Sequence, residues 1–219
     1  MCCPRATASV GEARLNFQVL RDGPAPARFG PGPALVTTNP PDNVPTMLRV
    51  AGGKLTNAST VDGRAAGYYT SPNLGGQVTT IGARWTFTQR GGTRGAMALL
   101  ISHGALHRPF SVHLVITPNL WTFGIWPPDG SVPGELETLQ SQRFQVPLDE
   151  DGTQVYEAQV EINGERADIE LPDGEHQTVI DQRIADWAGS FATFEAYSDQ
   201  GLTDSRVGFT EIWAQSQRV

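Results

Sequence analysis

Between Tyr156 and Leu171 the sequence alternates apolar and polar residues on either side of an Asn163-Gly164 pair, a pattern that a β-hairpin accommodates and a helix does not. Side chains along a strand point to opposite faces with a period of two, so Tyr156, Ala158, Val160 and Ile162 share one face while Glu157, Gln159 and Glu161 share the other. Asn-Gly suits the two positive φ values of a type I′ turn. That turn predicts Ile162 opposite Glu165, Val160 opposite Ala167, Ala158 opposite Ile169 and Tyr156 opposite Leu171. The polar face then pairs Glu161 with Arg166, Gln159 with Asp168 and Glu157 with Glu170. Such alternation marks an antiparallel sheet with one face packed and the other turned to water or a ligand. Pro172-Asp173-Gly174 supplies a further turn, giving a three-stranded meander.

The same grammar runs through most of the chain. Short β-type runs bounded by turn residues recur at 47–50, 67–70, 77–88, 95–103, 109–116, 120–126, 144–147, 154–162, 165–171, 175–181, 191–197 and 207–214, and only 134–142 and 183–187 have helical character. The expectation is an all-β sandwich of two antiparallel sheets. In 83–89, Trp85 and Phe87 take one face and Arg84, Thr86 and Thr88 the other. In 120–126, Trp121, Phe123 and Ile125 point inward and Thr122, Gly124 and Trp126 outward, which makes Trp126 the aromatic least explained by a core. Phe209, Ile212 and Trp213 dress both faces of the last strand, placing it near a sheet centre. Residues 1–14 read as a loose tail. Residues 15–46 carry Pro24, Pro26, Pro31, Pro33, Pro40, Pro41 and Pro45 and read as an extended arm, because proline lacks a donor and holds φ fixed. The organisation expected is thus a tail and arm at 1–46 and a sandwich at 47–219, the arm lying along a neighbouring subunit or wrapping its own sandwich.

Composition narrows the function classes. The formal charge of -7, with no basic run, disfavours a nucleic-acid surface. The N-terminal stretch holds Pro4, Glu12, Arg14 and Asp22 without the apolar run of a signal peptide or membrane span, so no membrane partner is expected and the chain is expected to be soluble. Cys2 and Cys3, adjacent at the N-terminus and the only cysteines, cannot cross-link a core or supply a zinc site. A sandwich of 219 residues buries enough core to need neither. Of the 16 basic residues only Lys54 is lysine, a skew that matches a high-GC genome rather than any physical need.

The stretches Ala83-Arg-Trp-Thr-Phe, Asn119-Leu-Trp-Thr-Phe-Gly, Glu161-Ile-Asn-Gly with Leu171-Pro-Asp-Gly, and Val207-Gly-Phe-Thr-Glu-Ile-Trp-Ala resemble the concanavalin-A-like jelly roll shared by legume lectins, laminin-G-like modules and laminarinase-type glycosidases. The resemblance spans residues 80 to 215 and concerns a fold, which does not by itself imply function. It implies a carbohydrate- or protein-binding module, with a polysaccharide-acting glycoside hydrolase or lyase as the alternative. Similar modules without signal peptides serve as minor tail proteins of phages of high-GC bacteria. This implies a virion location, or a cytoplasmic one otherwise, and a homo-oligomer, a trimer foremost, or a chain seated among virion neighbours.

Each candidate chemistry has its own requirement. Retaining glycoside hydrolysis needs two carboxylates about 5 Å apart, which the predicted Glu157–Glu170 pair meets. The laminarinase family spaces its carboxylates as Glu-x-Asp-x-Glu or with one extra residue before the last Glu, whereas Glu165-Arg-Ala-Asp168-Ile-Glu170 carries the extra residue in the other interval. Parity then separates Glu165 from Asp168 and Glu170 unless a bulge intervenes, and a solvated polar face is the expectation. His103, His107 and His113 lack interleaved acids and share no strand face, so no metal site is assigned. Asp149-Glu150-Asp151-Gly152 has oxygen donors for calcium, a companion of this fold, without the spacing of a dedicated loop, and reads first as an acidic turn. Ser102 has no nucleophile elbow, and Cys2 and Cys3 have no positioned base. Glycan binding asks only for an exposed aromatic ring with fixed polar groups around it. Trp126, Arg84, His113, Asp168 and Glu170 are the candidates, expected on the polar face of one sheet, against a glycan or cell-surface polysaccharide.

Overall fold

A computed structural model describes residues 10–39, 48–57, 65–88, 95–105, 110–127, 136–198 and 207–217. In chain order the strands are β1 (Val10–Asn16), β2 (Gly23–Pro24), β3 (Arg28–Phe29), β4 (Gly32–Pro33), β5 (Leu35–Asn39), β6 (Leu48–Ala51), β7 (Lys54–Asn57), β8 (Ala65–Thr70) and β9 (Gln77–Phe87). They continue as β10 (Gly95–Ser102), β11 (Ser111–Ile116), β12 (Leu120–Trp126), β13 (Glu137–Arg143), β14 (Tyr156–Asn163), β15 (Arg166–Glu170), β16 (His176–Ile180), β17 (Phe191–Ser198) and β18 (Val207–Gln217), with one helix, α1 (Gln182–Trp187). One sheet runs β16-β15-β14-β9-β18-β7-β6-β2, with β1 also on β18, and the other runs β13-β12-β11-β10-β17-β8-β5. All pairings are antiparallel. The two sheets face each other across a single core that includes Trp85, Trp121, Phe123, Phe194, Phe209 and Ile212. β18 lies at the centre of its sheet, as its two apolar faces require.

The hairpin differs from expectation in register and agrees in parity. Asn163 pairs with Arg166, Ile162 with Ala167, Val160 with Ile169 and Glu161 with Asp168, so the turn is Gly164-Glu165 rather than Asn163-Gly164. Only Gly164 has positive φ (+61°), which fits glycine at the first central position of a type II′ turn. The slip is two residues, so every side chain keeps its face. The predicted Glu157–Glu170 pair is nevertheless lost: Glu170 lies opposite Gln159, and Glu157 opposite Arg84 on β9.

Residues 10–39 take the second course expected for the arm and wrap their own sandwich, and β1 begins within the stretch expected as a loose tail. β1 pairs along β18 from Val10–Gln217 to Asn16–Glu211, β5 pairs with β8 and β2 with β6, so this stretch serves both sheets of its own chain. Its strand signal is weak because the inward residues are small or few. Gly11 sits where a Cβ would come 2.7 Å from Ser216 Oγ, and Gly30 takes a φ of +60° against Ala13. Pro24, Pro26, Pro31 and Pro33 fall at two-residue edge bridges or between strands, where their missing donor costs no ladder bond, and Pro40, Pro41 and Pro45 lie outside the described residues.

A second correction concerns 134–142, expected to be helical: residues 137–143 form β13 on the open edge of β12. Helix propensity is a weak prior that a vacant sheet edge overrides. Residues 144–147, expected as a strand, leave the sheet instead, with Phe144 N–H donating to the Asn119 carbonyl (3.1 Å) and Leu148 N–H to that of Pro118 (2.8 Å). The helix expected at 183–187 is α1, whose N-cap Asp181 accepts from Arg183 N–H (2.9 Å) and whose Ile184 is buried. It packs against β11, β14 and β15. Among the described residues no helix is long and apolar enough to cross a membrane.

Candidate functional site

The outward face of the seven-stranded sheet follows from strand parity and register. Met97, Leu99 and Ile101 of β10 and Val112, Leu114 and Ile116 of β11 enter the core, so Ala96, Ala98, His113 and Val115 point outward. Across the sheet, Tyr68, Glu195, Ala98, Val115 and Thr122 form one row, and Thr193, Leu100, His113 and Gly124 form the next. Tyr197 lies opposite Ala96, and Trp126 opposite Ser111. Where large residues flank small ones in such an array, a hollow is left.

That hollow is a cavity of about 260 Å³ with Ala96 and Ala98 in its floor, His113 and Trp126 to one side and Glu195 and Tyr197 to the other. The His113 and Trp126 rings stack, 5.9 Å between centroids at 23°. His113 is buried, and its Nε2 lies 2.6 Å from Ser111 Oγ, so a hydrogen bond along the same strand face holds the imidazole. Leu136 completes the wall. It reaches there because β12 and β13 slip register at Phe123 and Gly124, leaving Leu139 as the extra residue of a bulge.

Gly124 makes this approach possible. A Cβ at this position would lie 2.4 Å from the Glu137 carbonyl oxygen and 3.0 Å from Leu136 Cγ. Gly124→Ala is therefore expected to push the start of β13 off the sheet, costing about 1–3 kcal/mol in urea denaturation and widening the cavity at Leu136. An unchanged denaturation midpoint would show that the β13 edge yields without cost.

The five residues expected on one face lie on two. Trp126 and His113 line the cavity just described, whereas Arg84, Asp168 and Glu170 stand on the outward face of the nine-stranded sheet, on β9 and β15. There Arg84 bonds Glu157 (2.6 Å) and Glu211 (3.2 Å), and Glu211 also accepts from Arg14 (2.7 Å). Trp213 shares this face: its ring covers Gly82, its Nε1 donates to Gln159 (2.9 Å), and the Arg14 guanidinium sits 5.3 Å from it. Asp168 is held by both nitrogens of an Arg166 fork (2.7 Å each) and by Thr178 (2.6 Å), and these bonds keep its carboxyl below the usual range. Glu170 has His176 Nδ1 at 4.0 Å.

Glu157 and Glu170 do line a common hollow of about 390 Å³ with Tyr156 and His176, but no bulge in the β14–β15 ladder brings Glu165 to their side. The acidic turn forms local bonds, Asp149 accepting from Asp151 N–H (3.0 Å) and Asp151 from Thr153 N–H (2.7 Å) and Oγ1 (2.6 Å). Among the described residues no three His, Cys, Asp or Glu side chains gather to hold a metal ion. His103 bonds the Asp186 carbonyl through Nε2 (2.8 Å), and Ser102 donates to the Gly104 carbonyl (2.7 Å). His107, Cys2 and Cys3 lie outside the described residues.

Sequence reasoning passed over Glu195 and Tyr197, although a signal was present. In β17, Ala192, Phe194 and Ala196 alternate with Thr193, Glu195 and Tyr197, an outward set holding both a carboxylate and a ring. Leu136 carried no such signal, since its position depends on the bulge.

No protein-family model matches the sequence, and no curated protein matches it. Solved structures do match. The laminarinase from Rhodothermus marinus superposes with a TM-score of 0.61 at 10% identity, over 93% of this chain and 96% of that one. The metal-free carbohydrate recognition domain of Emp46p gives 0.60 at 10% identity over 85% and 88%. The CBM2 module of the evolved Dit of Lactobacillus casei BL23 phage J-1 gives 0.54 at 10% identity over 98% and 99%. The chain has the concanavalin-A-like jelly-roll fold, and at this identity the likeness is one of fold.

Proposed function

We propose that this protein is a non-catalytic glycan-binding β-sandwich whose ligand enters the cavity on the outward face of the seven-stranded sheet. The observation that carries the reading is Trp126, an outward tryptophan beside a small-residue floor, with Tyr197, Glu195 and His113 around the same hollow. An aromatic ring packs on the C–H face of a sugar, polar side chains at the rim take its hydroxyls, and the buried His113 backs the Trp126 ring. The volume of about 260 Å³ suits one ring of a polysaccharide rather than a large cofactor. The carbohydrate-related names of the fold neighbours support the ligand class, and the phage Dit module supports a place in a phage tail, where the chain works as a homo-oligomer or beside virion neighbours.

The hydrolase alternative draws on Glu157 and Glu170 in their common hollow, against the ion pair that ties Glu157 to Arg84. Calorimetric titration with laminari-, cello- and chito-oligosaccharides, with reducing ends counted in the same samples, is expected to give saturable binding and no cleavage. Cleavage that Glu157→Gln or Glu170→Gln abolishes would transfer the assignment to the hydrolase, and absence of binding across the panel would remove the glycan. Sedimentation of the full chain as a monomer at micromolar concentration would remove the homo-oligomer.

A further inference from the structure

The cavity on the seven-stranded sheet brings together a carboxylate, aromatic rings and an apolar remainder. Glu195 and Tyr197 stand half-buried on the same face of β17, and each lies opposite an alanine of β10, Ala98 and Ala96. Because those partners end at Cβ, the carboxylate and the phenol ring border the hollow rather than a facing side chain. Trp126 borders it from β12, its plane fixed by the His113 ring stacked on it at 5.9 Å and 23°. Among the described residues the rest of the lining is Met97, Val115 and Leu136, with no arginine or lysine.

A neutral sugar presents hydroxyl groups that need a mixture of donors and acceptors, and this lining is poor in both. His113 is buried and holds Ser111 Oγ at 2.6 Å through Nε2, so the half-buried polar groups at the hollow are the Glu195 carboxylate and the Tyr197 hydroxyl. An ionised carboxylate is an acceptor only, with about four lone-pair sites, so it takes a ligand donor beside any donor of the protein. A cationic donor makes the shorter and stronger bond, and the faces of tryptophan and tyrosine attract the same charge through the ring quadrupole. Carboxylate and rings therefore agree on one property of the ligand, a positive charge, and the formal charge of -7 on the chain draws such a ligand in. We infer that the sugar selected here carries a protonated amine: an unsubstituted amino sugar, with its ammonium on Glu195 and its C–H face on Trp126. The inference rests on the reading that the cavity holds a glycan, and adds the chemistry by which one sugar is chosen over another.

The β-1,4-linked tetramers of glucose, glucosamine and N-acetylglucosamine isolate that property, because they share a backbone and differ only in carrying a hydroxyl, an ammonium or a neutral amide. They are titrated calorimetrically against the full chain at a mildly acidic pH that keeps the sugar amine protonated. About 0.5 M salt screens the general attraction of an acidic chain for a cationic oligomer. The glucosamine tetramer is expected to bind about tenfold more tightly than the other two, the worth of one charge-assisted bond with a cation–π contact. Glu195→Gln is expected to weaken glucosamine alone and bring the three to within about twofold of one another, and the wild-type ranking decides by itself if that variant does not fold. Glu161→Gln, which removes the same charge from the nine-stranded sheet, is expected to keep the preference. Equal binding of the three tetramers, or a preference that survives Glu195→Gln, overturns the amino sugar and leaves the glycan reading standing. N-acetyl-lysine methylamide brings an ammonium without a sugar ring and is expected not to compete; if it displaces the glucosamine tetramer at equal concentration, the cavity takes a cationic side chain and the amino sugar is overturned. A wild type that binds none of the tetramers overturns both readings.

Discussion

A chain beginning at Met47 is expected to lose cooperative unfolding and near-ultraviolet circular dichroism. The 10–39 stretch supplies β1 along β18 and the edge strand β5, and it seats Phe17 and Phe29 with no exposure at all. Phe29 packs edge to face on Tyr69 and Phe194, each 5.8 Å away, and Phe17 on Tyr69 at 6.5 Å. The Tyr69 hydroxyl donates to the carbonyls of Pro26 (2.9 Å) and Arg28 (3.2 Å), so burial of that phenol depends on the same stretch. Removing a buried phenylalanine costs about 3–5 kcal/mol, and two of them with a central pairing edge consume most of the ~5–15 kcal/mol by which a domain is stable. A sharp melting transition of the shortened chain would show that 47–219 is a folding unit, contrary to the strand pairing.

Trp126→Ala is expected to weaken glycan binding about thirtyfold or more, the ~2 kcal/mol of an aromatic anchor in a small interface. The ring lies on the outward face, half-buried and outside the core cluster, so the fold should survive with its circular dichroism intact. Arg84→Ala is the matched control. Arg84 was read from the sequence as part of the same site, but it sits on the other sheet among Glu157 and Glu211. Its loss is expected to leave affinity within about twofold, as for a residue outside the interface. If Arg84→Ala removes binding and Trp126→Ala does not, the glycan face is that of the nine-stranded sheet.

The contrast between these two residues shows how far sequence reading reached. Trp126 stood out because its neighbours Ile125 and Phe123 occupy the inward positions of β12, leaving it on the outward side by parity alone. Arg84 was outward by the same argument from Trp85 and Phe87. Nothing in either strand says which layer it joins, so two correct statements of direction were combined into one face where the fold has two. Glu195 and Tyr197 obey the same parity and needed only their pairing partner, Ala98 and Ala96 of β10, to become parts of a cavity.

By itself the sequence determined the β class, the strands from residue 48 onward apart from β7, β8's first residues and β13, and the inward or outward direction of the side chains along β9, β12, β14 and β15. Those properties are local: they follow from an alternation of two and from turn residues, and a register slip of two residues at Gly164 left them intact. Tertiary structure alone decided that Val10–Asn16 lies on β18, that Glu137–Arg143 takes the edge of β12 and not a helix, and that Trp126 and Arg84 face away from one another on different sheets. Each of those outcomes depends on which distant strand has an unpaired edge to offer, a property of the assembled sheets that no stretch of chain carries within itself.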